Sequence, residues 1–494
     1  MKEKIKKITA TDFYDYTKCK YCVFLNKNGD LNLRDKISDF VKLLWDRGAQ
    51  HEEKIIESYI KRKGKSFIEV SRDKPAGTET FNETLKLMKE GKDYIYQGVL
   101  IVNDFIGRPD LLERISGKSK FGNYYYIPVD IKAGRGYEGD NFDDGKIKES
   151  YLFQLNFYNF LLSKIQEFNP EFGKIINISQ EELDYKTDFN SDKFSRIKEE
   201  IILMVKGREV YQPTIGGKCD LCRWQTYCND WAKKKKDLSL LFYVGENKYE
   251  LQKYGIKEIK DLLAKPLVEW LKELPALKKQ GHFNGFAEKS FSNLYKRAQV
   301  HEKGKEVFYS KINFPESQKE IHFDIEDDPT QDITYLFGFW MRDLSSSRDH
   351  YECLMADGID GEEGIAKKLW DFLKKNKNVP VYHYSAHEIS ILRRLQKKYN
   401  LDQEIVGDFE KNSVDLYKII QRDSDWPLTS YGLKSICKFT GFKWSAKDAG
   451  GANSIEWFSR FINGEKGMKE KILKYNEEDC KATAYLKDYI LKNN

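Results

Sequence analysis

At 494 residues the chain exceeds what one hydrophobic core normally serves, so two or three domains are expected. Its 84 basic against 78 acidic residues leave a net charge of +6, which accommodates a nucleic-acid partner without demanding one. No apolar run approaches the ~18 to 20 residues of a membrane span, and eight cysteines with no secretory signal after Met1-Lys2-Glu3 point to a reducing cytoplasm rather than a disulfide framework.

In chain order the first feature is Cys19, in TKCKYCVFL, where Cys22 is an alternative ligand of the same kind. His51 follows in Gly48-Ala49-Gln50-His51-Glu52, at the head of an expected helix, EEKIIESYIKR, where its imidazole can ligate a metal and would favour Mn²⁺. Gly64-Lys65-Ser66 and Gly117-Lys118-Ser119 carry the tail of a phosphate-loop motif, but Tyr59 and Leu112 stand where its first glycine belongs. The chain therefore has no ATPase loop, and any helicase that feeds it is a separate protein.

Asp110 closes Gly107-Arg108-Pro109-Asp110 and begins the apolar run LLERI. The turn-rich stretch SGKSKFGN leads into YYYIPVDIKAG, whose β-branched and aromatic content predicts a strand. Asp130 and Lys132, two apart, share one face of it. The hairpin places Asp110 beside Asp130, two hard oxygen donors for Mg²⁺ or Mn²⁺, with Lys132 at hand for the scissile phosphate or the attacking water. Tyr124, Tyr125 and Tyr126 are candidates for base stacking or for core packing. Gln154 and Tyr158, four apart in YLFQLNFYNFLL, share a helix face that can contact the backbone or the lysine. Cys219, Cys222 and Cys228 then form a C-x2-C-x5-C cluster, and with Cys19 they can clamp one metal centre.

The order His51, Asp110, Asp130-x-Lys132, Gln154-x3-Tyr158 resembles the PD-(D/E)xK nuclease domain of RecB-like exonucleases. The cysteine bracket is similar to that of their iron-sulfur subgroup, which includes AddB-type and CRISPR-adaptation nucleases. The resemblance implies a restriction-endonuclease-like core over residues 1–235 and a [4Fe-4S] cluster on Cys19, Cys219, Cys222 and Cys228. Four thiolates suit Zn²⁺ as well.

The basic stretch Lys233 to Lys236 marks the expected end of this domain. Residues 236–310 read as a helical connector, with LQKYGIKEIKDLLA followed by PLVEWLKELPALKKQ. The Leu251, Gly255-Ile256, Ile259, Leu262 pattern is similar to a helix-hairpin-helix element, which grips phosphates through backbone amides.

Residues 311–494 carry a second set of acids. Asp324 and Glu326 share a face of the strand-like IHFDIE, and DITYLFGFWMRD supplies its neighbour. VPVYHYSAHE reads as a strand ending at Glu388, just before the helix ISILRRLQKKY. Tyr475 and Asp479 lie one turn apart on a helix. This set resembles a DEDD exonuclease of the RNase H-like fold, with Glu388 where the family's third acid is Asp; Asp415 in Ser413-Val414-Asp415-Leu416 is the alternative.

The expectation is an α/β multi-domain, cytoplasmic, metal-dependent nuclease acting on single-stranded DNA through the N-terminal centre. The runner-up assigns cleavage of DNA or RNA to the C-terminal centre, with the front half as the binding module. A non-catalytic nucleic-acid scaffold is the third reading.

Overall fold

Two segments rich in β-branched and aromatic residues become the centres of two separate sheets in the computed structural model, which describes residues 6–60, 64–70, 73–134, 136, 147–209, 211–346, 348–445 and 450–494. The chain divides into one unit of residues 1–37, 41–214 and 221–227, and another of 38–40, 215–220 and 228–494.

The first unit opens on helices α1 (Ala10–Lys18), α2 (Lys20–Asn28) and α3 (Asp39–Ile55), the last running into a π-helical turn over Ile56–Ile60. His51 lies well inside α3 and not at a helix head, because the amphipathic pattern that forms the helix begins at Asp39. The strands are β1 (Phe67–Glu69), β2 (Tyr94–Tyr96), β3 (Leu100–Val102), β4 (Phe105–Gly107), β5 (Leu111–Ser119), β6 (Gly122–Ile131), β7 (Phe172–Ile176) and β8 (Glu182–Lys186). Helices α4 (Thr78–Lys89), α5 (Glu149–Gln166) and α6 (Asp192–Val205) complete the unit. Six strands form one sheet in the order β1-β2-β5-β6-β7-β8, and β3 pairs with β4 in a ribbon.

The expected hairpin is β5–β6, antiparallel, with Leu111 opposite Val129. Its turn is shorter than the polar stretch suggested, since pairing continues to Ser119 and Gly122. β6 pairs parallel to β7, so α5 is the crossover between them. α5 is apolar on most sides because it is sandwiched: Phe153, Phe157, Leu161, Leu162 and Ile165 share one core with Phe13 of α1 and Phe194 of α6. Tyr126 is fully buried there, and Tyr124 donates to the Met88 and Lys89 carbonyls.

The second unit begins with α7 (Gln225–Lys235), α8 (Lys248–Lys253), α9 (Ile259–Leu263), α10 (Leu267–Lys279) and α11 (Glu288–Lys303). Gly255 turns the chain between α8 and α9 at φ +101°, a conformation that suits glycine alone, and Leu251, Ile256, Ile259 and Leu262 bury into the helices' own core. Strand β9 (Val307–Phe308) leads to β10 (Lys319–Asp328), β11 (Ile333–Asp343), β12 (Arg348–Met355), β13 (Val381–His383), β14 (Ser413–Asp415) and β15 (Ser424–Asp425). Five of these form a sheet of order β12-β11-β10-β13-β14, antiparallel from β12 to β10 and parallel thereafter. The helices are α12 (Glu362–Lys375), α13 (His387–Tyr399), α14 (Gln403–Asn412), α15 (Leu416–Asp423), α16 (Leu433–Thr440), α17 (Gly451–Ile462) and α18 (Met468–Asn493).

β10 obeys period two. Ile321, Phe323 and Ile325 enter the apolar core beside α12, α13 and α14. The alternate residues Glu320, His322, Asp324 and Glu326 take the other face, where α18 supplies Lys487, Asn476 and Asp479. Two expectations shift. The third strand stops at His383, and Glu388 falls in the first turn of α13. β12, too polar on its outer face to stand out in the sequence, extends the sheet edge.

Candidate functional site

In the N-terminal unit the hairpin sets Asp110 against Asp130. The Asp110 N–H points at Asp130 Oδ1 from 3.5 Å, and the Ile131 N–H donates to Asp110 Oδ2 at 2.6 Å, so strand backbone aims both carboxylates. Lys132, one residue beyond the end of β6, places its Nζ 3.0 Å from Asp130 Oδ2. Burial, then the Asp130 charge, push the Asp110 carboxyl up to about 8 against the pull of Lys132. Lys132 is raised in turn: burial alone would lower it, but Asp130 and Asp110 favour the charged form.

Glu52, which the sequence reading passed over, also bears on Asp110 and accepts from Tyr96 Oη and Gln97 Nε2, both at 2.8 Å. One residue earlier, His51 has a buried Nε2 with no hydrogen-bond partner among the described residues, and burial depresses its pKa against a hydrogen bond to the Asn177 backbone. Gln154 Oε1 is likewise buried and unpartnered among the described residues. Tyr158 is buried on α5 and donates to the Arg108 carbonyl at 3.3 Å. Gly107 permits that contact, since a Cβ there would stand 3.0 Å from the Tyr158 ring.

The cysteines depart from the expectation. Among the described residues no three of them converge as a ligand set. Segment 221–227 returns to the N-terminal helices, with Trp224 Nε1 donating to Asn26 Oδ1 at 2.9 Å, and this brings the Cys222 thiol against Cys22. The reason is local: the chain breaks between α1 and α2 at Cys19, which is extended at φ −160°, and Cys22 lies three residues further on, in the first turn of α2. Asn26 Nδ2 and the Trp224 N–H point at the Cys22 and Cys222 sulfurs, each from 3.5 Å. Cys228, on α7, packs against the apolar core of the helical segment. The expected tetrathiolate centre on Cys19, Cys219, Cys222 and Cys228 is not shown among the described residues.

In the C-terminal unit three acids do converge. Asp324, Glu326 and Asp479 each offer an oxygen within 4.8 Å of the others. Asp324 is partly open, while Glu326 and Asp479 are buried. Each carboxylate is held separately. Asn476 Nδ2 donates to Asp324 Oδ2 at 2.7 Å, and Tyr351 fixes that amide by donating to its Oδ1 at 2.7 Å. Ser454 hydrogen-bonds Glu326. Trp444 Nε1 donates to Asp479 Oδ1 at 2.6 Å, and Tyr475 hydrogen-bonds the same carboxyl. Gly338, opposite Asp324 on β11, leaves the room: a Cβ there would stand 1.6 Å from Asn476 Oδ1.

Burial raises all three: Asp324 well above the usual carboxylate range, helped by Asp479 and Glu326; Glu326 to about 8, helped by Asp479; and Asp479 upward against the opposing charge of Lys434, with Glu478 adding to the rise. The set is made of hard oxygen donors that share too little charge compensation in isolation, which fits Mg²⁺ or Mn²⁺.

Glu388 is buried but stands outside this trio, its Oε2 3.3 Å from His383 Nδ1. Asp415 caps α15, accepting from the Tyr417 and Lys418 N–H groups, and also accepts from the Ser385 N–H. Lys434, Trp444, Asn476 and Ser454 escaped the sequence reading, because no spacing rule links them to the acids they touch.

A family model of the PD-(D/E)XK nuclease superfamily matches residues 12–229, and a model of the RNase_H superfamily matches residues 321–491. No curated protein matches the chain. Among the described residues no helix is long and apolar enough to cross a membrane.

Proposed function

We propose that the chain is a metal-dependent nuclease, hydrolysing phosphodiester bonds of single-stranded DNA at the N-terminal centre and trimming 3′ ends of DNA or RNA at the C-terminal one. The observation that carries the reading is the meeting of Asp110 with Asp130, whose Oδ2 lies 3.0 Å from Lys132 Nζ, inside the segment that matches the PD-(D/E)XK nuclease superfamily. Bound Mg²⁺ or Mn²⁺ supplies Lewis acidity toward the scissile phosphate and a water of lowered pKa.

At the front, Asp110 and Asp130 are the oxygen donors, and the unpartnered His51 Nε2 is the nitrogen donor that favours Mn²⁺. Lys132, paired to Asp130, brings its charge beside the phosphate. Gln154 Oε1 is available to a substrate hydrogen bond, and Tyr158 holds the Arg108 turn from which Asp110 departs. At the back, Asp324, Glu326 and Asp479 hold the ion, and the Tyr475 hydroxyl orients the attacking water. Glu388, whose charge is felt at Asp324, is the fourth acid of the set in this reading. A helicase that supplies single strands is the partner this reading proposes.

One observation favours the second reading, cleavage at the C-terminal centre with the front as binding module: among the described residues the only group of three ligands in mutual reach is there. End-labelled single- and double-stranded DNA and RNA, incubated with wild type, Asp130→Ala, Asp324→Asn and the double variant, separate the two. Each single variant should remove one of two chelator-sensitive activities. Cleavage that survives both the double variant and EDTA overturns the proposal.

A further inference from the structure

Between α7 and α8 the chain turns one aromatic ring outward. Tyr243 is 68% exposed although its neighbours Phe242 and Val244 are buried, and its backbone is left-handed at φ +63°. Glycine or asparagine takes that conformation at little cost, whereas a bulky side chain there is strained. The ring is nonetheless held. Its centroid stands 4.1 Å from that of Phe242, which stacks in turn on Tyr431 at 3.8 Å, and the Arg297 guanidinium lies 5.2 Å from the Phe242 centroid. Its hydroxyl meets the Tyr417 hydroxyl at 3.4 Å and accepts from Gln421 Nε2 at 3.2 Å. Strain of this kind persists where the surroundings over-determine it, and it clusters at ligand clamps.

Tyr417 ties this ring to the C-terminal acids. Register pairs Ile321 of β10 with Val381 of β13, and Val381 with Ser413 of β14, all parallel. Three residues further along each strand direction come Asp324, Tyr384 and Leu416, so the three reach the same edge of the sheet. Two strand spacings, about 10 Å, separate the first from the last. On that edge the Tyr384 and Tyr417 rings are 5.6 Å apart, and Tyr384 is fixed by donating to the Tyr431 carbonyl. An aromatic row thus runs from the acid edge through Tyr384 and Tyr417 to the open face of Tyr243. The residues after Tyr417 and Gln421 on α15 are cations, Lys418 and Arg422, largely exposed and paired with Asp415 and Asp423. Surface pairs of this kind are worth little, which leaves both side chains available to phosphate.

We propose that Tyr243 is a stacking platform for one base of a single-stranded DNA or RNA whose end lies at the C-terminal acids, with Lys418 and Arg422 on its phosphates. The inference rests on the nuclease reading of that centre. Every base has a π-face, so the platform favours unpaired strands over duplex without reading sequence. Distance sets a length dependence. A dinucleotide at the acids, its bases about 3.4 Å apart, falls short of a ring joined to the edge two strands away, whereas a strand of about ten nucleotides spans the gap.

The test uses the full chain with Asp110→Ala and Asp130→Ala in place, which removes the front carboxylates. Cleavage is followed on a dinucleotide and on single strands of about ten nucleotides, one of DNA and one of RNA. Tyr243→Asn, which keeps the left-handed backbone, should raise KM about tenfold for whichever long strand is cleaved, with kcat and the dinucleotide unchanged. Tyr243→Trp should restore that KM. A long strand carrying 5-iodouracil, photolysed on the form that also carries Asp324→Asn, should crosslink at Tyr243. A ring that serves only to hold the connector would change both lengths alike. That result, an unchanged KM for the long strands, or crosslinks at other residues alone, overturns the assignment. Cleavage that Asp324→Asn leaves intact in this background refutes instead the nuclease reading, and the crosslink at Tyr243 still decides the platform.

Discussion

The two acid centres are built from opposite ranges of the chain. The front pair is local: Asp110 and Asp130 sit on adjoining strands of one hairpin, and main-chain N–H groups aim both. The back trio joins β10 to α18, about 150 residues later, and holds its members with the side chains of Asn476, Ser454, Trp444 and Tyr475. A hairpin sets the distance between two acids cheaply but stops at two. A third ligand from a distant helix needs a packed interface, and that interface brings its own polar supports.

The comparison breaks most directly through the acids themselves. Asp130→Ala and Asp324→Asn should each lower the activity of their own centre by at least about 100-fold, leaving the other intact; rates measured on separate substrates check this. Loss of both activities from either change would show that the centres are not independent.

A smaller effect probes the supports. Gly338→Ala forces Asn476 off Asp324, with an overpacking cost of about 2–3 kcal/mol in urea unfolding and weaker Mn²⁺ binding at the back centre alone. At the front the counterpart is Gly107, where a Cβ would stand 3.0 Å from the Tyr158 ring, so Gly107→Ala should act on Asp110 only through the Tyr158–Arg108 contact and by less.

The remaining face of β10 sharpens the contrast by pH. Burial would raise the Glu320 carboxyl, but hydrogen bonds from His322 and Lys487 bring it from the ordinary 4.5 down to about 2. The folded state therefore holds the charged form more firmly than the unfolded chain does. The resulting stability is complete above pH about 4.5 and is lost as pH falls toward 2, with a ceiling of about 3 kcal/mol. Glu320→Gln should flatten that part of the stability curve of the C-terminal unit. An unchanged acid limb would refute the pairing.

Smallest of all, Cys22→Ser should destabilise the N-terminal unit by about 1 kcal/mol in thermal unfolding, since Cys22 meets Cys222. Unchanged stability would refute that contact.

Much of this was legible beforehand for a physical reason. Period two on IHFDIE placed Asp324 and Glu326 together, and the turn between LLERI and YYYIPVDIKAG placed Asp110 by Asp130, because strand geometry converts spacing directly into direction. The pairing of Tyr475 with Asp479 followed from the helical turn in the same way. The same rules gave no account of Lys434, whose partners are 41 and 45 residues away, or of Gly338, whose value lies in what its missing side chain lets Asn476 reach. They left Cys19 and Cys22 as alternatives, since motif order cannot reveal that the Cys22 thiol meets Cys222. Sequence by itself determined which residues share a face within an element. Tertiary structure decided which faces meet, because that choice depends on the packing of apolar surface across the whole unit and on no single stretch of chain.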